Sequence, residues 1–262
     1  MRIIITGAAS GIGRAVAERL AAGAVIAGPH QLLLTDRDAD GLKAVADEIG
    51  PAAAVSICVA DLSASDCGDT IVAAAIAHMS GIDAVVSNAG IIAAGSLVDL
   101  SADDFDRIYS VNTRATWALA KAAHPHLATS KGAFVATASM SATQPTPGLG
   151  FYSSSKAALL ILMRQLALEW GKDGIRCNSV SPGPTYTPMT KAGYDDAARR
   201  AQRESMIPLG KLGTADDVAN AILFLISPLA GHISGIDILV DGGMSNNLMP
   251  ATGGGTGQKA ST

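Results

Sequence analysis

Cysteine is scarce in this chain, with three in 262 residues, at Cys58, Cys67 and Cys177. An odd number without metal-ligand spacing argues against a disulfide framework or a cysteine-built metal site, so the three read as reduced thiols and no metal is expected. Charge is also sparse: 19 Lys and Arg stand against 23 Asp and Glu, for a net −4. The few basic residues are scattered, which excludes the basic stripe of a nucleic-acid-binding protein. No uninterrupted apolar stretch reaches the ~20 residues of a membrane span. The nearest, 157–170, is broken by Arg164 and Glu169. The N-terminus runs straight into a strand pattern without a signal-peptide layout, so the expected compartment is the cytoplasm. No internal repeat occurs, and the absence of a G-x-S-x-G elbow argues against a serine hydrolase.

What is present is alternation. Strand-like apolar runs at 2–6, 31–35, 53–59, 84–87, 133–137, 176–180 and 236–240 are separated by helical patterns at 10–22, 38–49, 66–79, 101–109, 113–128, 151–170, 190–204 and 215–227. Near-continuous Val, Ile, Leu and Ala strands between helices signal a parallel sheet covered on both faces. The fold class is therefore α/β, a Rossmann-type doubly wound, seven-stranded parallel sheet, as one domain over 1–249. Ser101 and Thr214, each followed by Ala-Asp-Asp, read as helix N-caps rather than chemistry. The polar segment of about 185–207 reads as a lid, and the Gly/Thr/Ser-rich stretch 250–262 as a disordered tail.

Behind the first strand comes Gly7-Ala-Ala-Ser10-Gly11-Ile12-Gly13 and then a helical pattern. Strand, glycine turn and helix start together make an anion site, because glycines admit a pyrophosphate and the helix amides point at it. The second strand ends in Asp36, where a dinucleotide fold places the acid that takes the adenosine ribose hydroxyls. A carboxylate there repels a 2′-phosphate and favours NAD; Arg14 and Arg37 lie close enough in sequence to keep NADP open.

Tyr152 and Lys156 stand one helical turn apart at the head of a long apolar helix. An ammonium at that range favours the phenolate and is expected to lower the tyrosine pKa. A tyrosine trading its proton near neutrality suits carbonyl–alcohol interconversion.

T-G-A-A-S-G-I-G at 6–13, Asp61-Leu62, S-N-A-G at 87–90, Asn112, Ser139, Y-S-S-S-K at 152–156, P-G-P-T-Y-T-P-M at 182–189 and D-G-G at 241–243 follow in that order. With these motifs the chain resembles the short-chain dehydrogenase/reductase family over nearly its whole length. The resemblance implies that Tyr152 is the general acid/base, Lys156 lowers its pKa and holds the nicotinamide ribose, Ser139 hydrogen-bonds the substrate oxygen, and Asn112 links Lys156 to solvent. It further implies cofactor contacts from Gly7, Ser10, Gly11, Ile12, Gly13, Asp36 and Arg37 on the adenosine and phosphate side. Asp61 and Leu62 would flank the adenine, Asn88, Ala89 and Gly90 would pass beneath its ribose, and Pro182, Gly183, Thr185 and Thr187 would line the nicotinamide and pyrophosphate. Two departures stand out. Ser87 replaces a common asparagine, at a structural position, and the stretch 22–30 is longer than usual, lengthening the path to Asp36.

Substrate contacts are expected from Met140, Ser141, Gln144, Pro145 and Leu149 after the serine, and from Tyr186, Met189 and Tyr194 in the lid, besides Ser139 and Tyr152. This lining is mainly apolar, so a neutral secondary alcohol or its ketone is the expected small-molecule partner. The helix 151–170 is apolar on nearly every side, which predicts a homo-oligomer, dimer or tetramer. An NADPH-dependent 3-oxoacyl-[acyl-carrier-protein] reductase shares all the catalytic parts, and would need basic residues such as Arg107, Arg114 and Lys121 near the site mouth. A non-catalytic dinucleotide sensor is a third reading, opposed by the intact Asn112, Ser139, Tyr152 and Lys156 set.

Overall fold

Alternate residues of the opening strand fill two different cores: Ile3 and Ile5 face one way and Ile4 the other, all fully buried. The computed structural model describes residues 1–247, and the expected disordered tail lies outside the described residues. Strands β1 (Arg2–Thr6), β2 (Gln31–Asp36), β3 (Ala54–Val59), β4 (Ala84–Ser87), β5 (Ala133–Thr137), β6 (Arg176–Pro182) and β9 (Asp237–Val240) form a seven-stranded sheet in the order β3-β2-β1-β4-β5-β6-β9. Every pairing in it is parallel. A separate parallel pair joins β7 (Thr185–Tyr186) to β8 (Gly213–Thr214).

Helices α1 (Gly11–Ala21), α2 (Ala39–Ile49) and α9 (Ala215–Ile226) cover one face through residues such as Val16, Leu20, Leu42, Val45, Ile222 and Leu223. On the other face lie α3 (Cys67–Met79), α5 (Ala115–Ser130) and α6 (Tyr152–Trp170), through Ile71, Leu119, Leu127, Leu159 and Met163. Each such side chain taken fully from water contributes roughly 1.5–3 kcal/mol. Ser101 and Thr214 form complete capping boxes with Asp104 and Asp217. The first of these starts α4 (Ala102–Tyr109), and both residues act as the caps the sequence suggests.

Several boundaries differ from the sequence expectation. The helix expected over 190–204 is two, α7 (Lys191–Tyr194) and α8 (Ala197–Ser205), because Asp196 starts afresh as an N-cap, accepting from the Arg199 N–H at 2.8 Å. The gap left between 109 and 113 is filled by a π-helical turn, Ser110–Arg114, closed by the Ala115 N–H donating to the Ser110 carbonyl. β6 runs on to Pro182, whereas Ile236 is not in β9, its N–H being taken by the Asn178 side chain at 3.1 Å. No helix among the described residues is long and apolar enough to cross a membrane.

Candidate active site

Chain order reverses at the middle of the sheet, where β1 leads to β2 on one side and β4 to β5 on the other, so their carboxyl ends open a crevice. Gly7 leaves β1 at φ +68°, and a Cβ added there would lie 2.9 Å from both Ala89 Cα and Asn88 Nδ2. A Cβ on Gly13 would overlap the Gly7 carbonyl oxygen. These two approaches seat the start of α1 directly on the ends of β1 and β4. Ser10, exposed at the N-cap, supplies no side-chain acceptor, which leaves the first-turn amides, including those of Gly11, Ile12 and Gly13, open to an anion. A Cβ added to Gly11, which sits at φ +55°, would meet Thr187 Cβ at 3.6 Å and Pro188 Cδ at 3.7 Å.

β2 runs beside β1 residue for residue, from Arg2–Gln31 to Thr6–Thr35, so Asp36 arrives next to the glycine turn whatever the length of 22–30. Its carboxylate accepts from the N–H groups of Ala9, Arg37 and Asp38 at 3.3, 2.8 and 3.2 Å. Asp38, not Asp36, caps the following helix. Arg14 is drawn off by Glu18, at 2.6 Å, and by Glu48, while Arg37 is exposed and makes no ion pair among the described residues. The Ser63 N–H, at 2.8 Å, holds the Asp61 carboxyl below its usual range, and Arg37 adds to this. Leu62 packs on the core below α3 and α5.

Asn88 is a clamp between strands. Its backbone N–H and that of Ala89 donate to the Thr6 hydroxyl at 3.0 and 3.1 Å, and its side chain donates to the Thr6 carbonyl and accepts from Thr137. Ser87 bonds Thr116 on α5 at 2.9 Å, a structural contact. Gly90 leaves room for two polar groups: a Cβ there would sit 3.2 Å from Lys156 Nζ and 3.3 Å from Asn112 Oδ1.

Tyr152 begins α6 and Lys156 follows one turn later, its ammonium 5.9 Å from the centre of the Tyr152 ring. Nζ donates to the Thr137 carbonyl at 2.7 Å, and burial lowers its pKa to about 8. The expected depression of the phenol does not appear here. Burial raises the Tyr152 pKa, and the Ser139 hydroxyl opposes that only in part. The physical reason is that removing water disfavours both charged forms, and the ammonium is turned to a carbonyl rather than to the phenol oxygen. Ser139, 7 % exposed, lies just beyond β5 and accepts from the Ser141 N–H at 3.1 Å. Asn112, in the π-helical turn and 1 % exposed, does not bond Lys156 directly. Its side chain accepts from the Ile91 N–H and donates to the Ile91 carbonyl and the Ser155 hydroxyl, at 2.8, 3.0 and 3.0 Å.

Pro182 ends β6, and Gly183 packs so closely on Asp241 that a Cβ would come within 2.5 Å of it. The Thr185 hydroxyl donates to the Gly183 carbonyl at 3.0 Å, and Thr187 is tied to Thr190, so 185–190 forms a self-bonded turn against the glycine loop. Among the expected substrate contacts, Met140 and Ser141 lie in one short turn beyond Ser139, and Leu149 pairs with Gly95. The Ser141 hydroxyl bonds that of Thr146 at 2.9 Å, and the Tyr186 hydroxyl donates to Asp195 at 2.8 Å. Gln144 and Met189 are exposed, and Tyr194 is half-buried. Phe151 packs edge-on to Phe105, at 5.1 Å. The sequence reading gave no role to Thr6, Thr137 or Ser155. A polar threonine ending an otherwise apolar strand was the available signal for the first two.

A cradle that a Cβ would fill, an uncapped helix start and a carboxylate at the next strand end fit a dinucleotide with free ribose hydroxyls. The family profile described as enoyl-(acyl carrier protein) reductase matches residues 7–245. L-rhamnose 1-dehydrogenase (NAD(P)(+)) of Azotobacter vinelandii is 36% identical over 94% of this chain and 97% of its own. 3beta-hydroxysteroid dehydrogenase 1 of Eggerthella lenta is 32% identical over 93% of each. The crystal structure of a 3-ketoacyl-(acyl-carrier-protein) reductase from Brucella melitensis complexed with NADH superposes with a TM-score of 0.82, at 32% identity over 93% of this chain and 97% of that one. The chain belongs to the short-chain dehydrogenase/reductase family. It is an NAD(P)-dependent oxidoreductase that interconverts an alcohol and its carbonyl compound.

Proposed function

We propose that the chain oxidises or reduces an uncharged secondary alcohol–ketone pair, with NAD(H) preferred over NADP(H) and Tyr152 as the general acid/base. The observation that carries this reading is the convergence of Ser139, Tyr152 and Lys156 at the carboxyl ends of β4 and β5, beside the glycine cradle. The glycine turn and the α1 amides would hold the pyrophosphate, with Thr187 alongside. Asp36 would take the adenosine ribose hydroxyls, with Asp61 and Leu62 at the adenine. Arg14, engaged by Glu18 and Glu48, is withdrawn from any 2′-phosphate. When bound, the nicotinamide supplies the hydride chemistry. Everything else falls to side chains. In reduction, the Tyr152 phenol, kept protonated by burial, gives its proton to the carbonyl oxygen while the Ser139 hydroxyl stabilises the charge growing there. In oxidation the same phenol oxygen takes the proton of the alcohol. Lys156 would sit against the nicotinamide ribose, where its positive charge favours the phenolate as the proton leaves.

The mouth residues Met140, Leu149, Met189 and Tyr194 bring no formal charge, which fits a neutral substrate, as do relatives named for L-rhamnose and a hydroxysteroid. The 3-oxoacyl-[acyl-carrier-protein] reductase reading draws support from the Brucella structure. Against it, Arg107 pairs with Asp104, Arg114 bonds the Ser63 carbonyl and Lys121 lies over Trp117, so the candidate cations are spent separately. Ile161 and Leu168, 59% and 85% exposed on α6, support assembly into a dimer or tetramer. We assign one oxidoreductase unit over 1–249 with 185–207 as its lid, in the cytoplasm.

Tyr152→Phe tests the mechanism. Followed at 340 nm with NADH and NADPH over a panel of neutral ketones and alcohols, turnover should vanish while NADH still binds. Residual turnover near the wild-type rate would remove Tyr152 from the chemistry.

A further inference from the structure

The π-helical turn Ser110–Arg114 grips α6 at one residue, and that residue lies between Tyr152 and Lys156. Ser155 is fully buried, at 0 % exposure. Its hydroxyl donates to the Tyr152 carbonyl at 2.7 Å and, with its one proton so committed, accepts from Asn112 Nδ2 at 3.0 Å. Its own carbonyl accepts from the Thr113 hydroxyl at 3.0 Å. Two neighbouring side chains of the turn therefore hold the two faces of one residue. An extra residue in a helical turn widens it, which lets both Asn112 and Thr113 reach the same helix, and such turns concentrate at functional sites.

Resting on the reading that Tyr152, Lys156 and Asn112 carry the reaction, we propose that Ser155 and Thr113 are positioning residues for it. Ser155 fixes Asn112 by accepting one amide hydrogen while the Ile91 carbonyl takes the other. Asn112 Oδ1 is then held on the Ile91 N–H and beside Gly90, on the side where Lys156 Nζ also sits. Thr113 fixes the height of the α6 backbone against the turn. Neither residue touches the reacting atoms. Together they set how far the phenol, the ammonium and the amide oxygen stand from one another.

Ser155→Ala removes the acceptor for Asn112, and Thr113→Val removes the second tether with little change of shape, so the latter still reports if the buried serine variant does not fold. Because small misplacements of reacting groups are costly, kcat should fall about tenfold or more in each. The NADH Kd should stay within about twofold, since the glycine cradle is untouched, and the pH at which kcat is half-maximal should move. Wild-type kcat and a superimposable pH profile in a folded variant of either kind would overturn the proposal, as would parallel losses of NADH affinity and Tm with no shift in the pH profile. Tyr152→Phe run alongside separates the two claims. An active Tyr152→Phe sinks the underlying mechanism, whereas an inactive one beside unaltered Ser155→Ala and Thr113→Val sinks only the positioning role.

Discussion

Gly13→Ala should cost the protein both stability and cofactor. In an unhindered helix that change is favourable by up to about 1 kcal/mol, and Gly13 has no positive φ to oppose it. Sterics decide otherwise. The new Cβ would overlap the Gly7 carbonyl oxygen, 2.7 Å from its carbon and 2.9 Å from Asn88 Nδ2. None of these can swing aside: Gly7 is held between a strand and its turn, and Asn88 Nδ2 is donating to the Thr6 carbonyl at 3.2 Å. α1 must therefore move off the ends of β1 and β4, an overpacking that costs roughly 1–3 kcal/mol. The amides that would meet the pyrophosphate move with it, and about 1.4 kcal/mol of lost interaction is a tenfold weaker Kd. Gly171→Ala is the matched control, with nothing within 4 Å and a φ of −56°. It should leave binding alone and leave stability unchanged or raise it by about 0.4–1 kcal/mol. Fluorescence titration with NADH and thermal denaturation measure both. Gly13→Ala with wild-type NADH affinity and Tm would refute the claim that close backbone contact builds this cradle.

Two further outcomes concern pH. Lys156 is buried with a pKa near 8 against 10.5 in the open chain, so the unfolded state binds more protons between those values and stability rises with pH across them. Lys156→Met should abolish turnover yet raise Tm at neutral pH, with the gain shrinking as pH passes from about 8 to 10.5; a lower Tm at every pH would contradict this. Burial pushes the Asp83 carboxyl up, but Arg2 outweighs it, and the pKa lies below 3.8. The Arg2–Asp83 link between β1 and β4 thus stabilises above that value and fades as pH falls through the folded pKa. Asp83→Asn should cost about 1–2 kcal/mol at neutral pH, and urea unfolding should show the difference vanishing at strongly acid pH.

Most of the sheet was legible because its inner strands are buried on both faces, while the edge strands β3 and β9 are only partly covered. Runs such as Arg2–Thr6, Ala84–Ser87 and Ala133–Thr137 are too apolar and too short to be anything else between helical patterns. Helix starts were legible where a capping box announced them, at Ser101 and Thr214. The break at Asp196 went unread since a cap inside a polar helical pattern looks like one more surface acid. The π-helical turn leaves no periodic trace at all, because one extra residue only shifts the phase of the helix that follows. Its consequence, the meeting of Asn112 and Thr113 on Ser155, depends on contacts across more than 40 residues of sequence.

The phenol shows where spacing stops being informative. A spacing of four between Tyr152 and Lys156 does put their side chains on one flank of α6, and the ammonium does come to 5.9 Å from the ring centre. Proximity alone would lower the tyrosine pKa. Yet the ammonium is directed to the Thr137 carbonyl, and the water that would otherwise stabilise both ions is gone, so burial raises one group and lowers the other. Desolvation is collective: it comes from everything packed around a group, and no pair of positions encodes it. Both shifts favour the uncharged forms, a protonated phenol and a weakened ammonium. On the reading proposed above, such a site would enter the reduction with the proton already on the phenol, and positive charge beside it would favour the phenolate in the reverse direction.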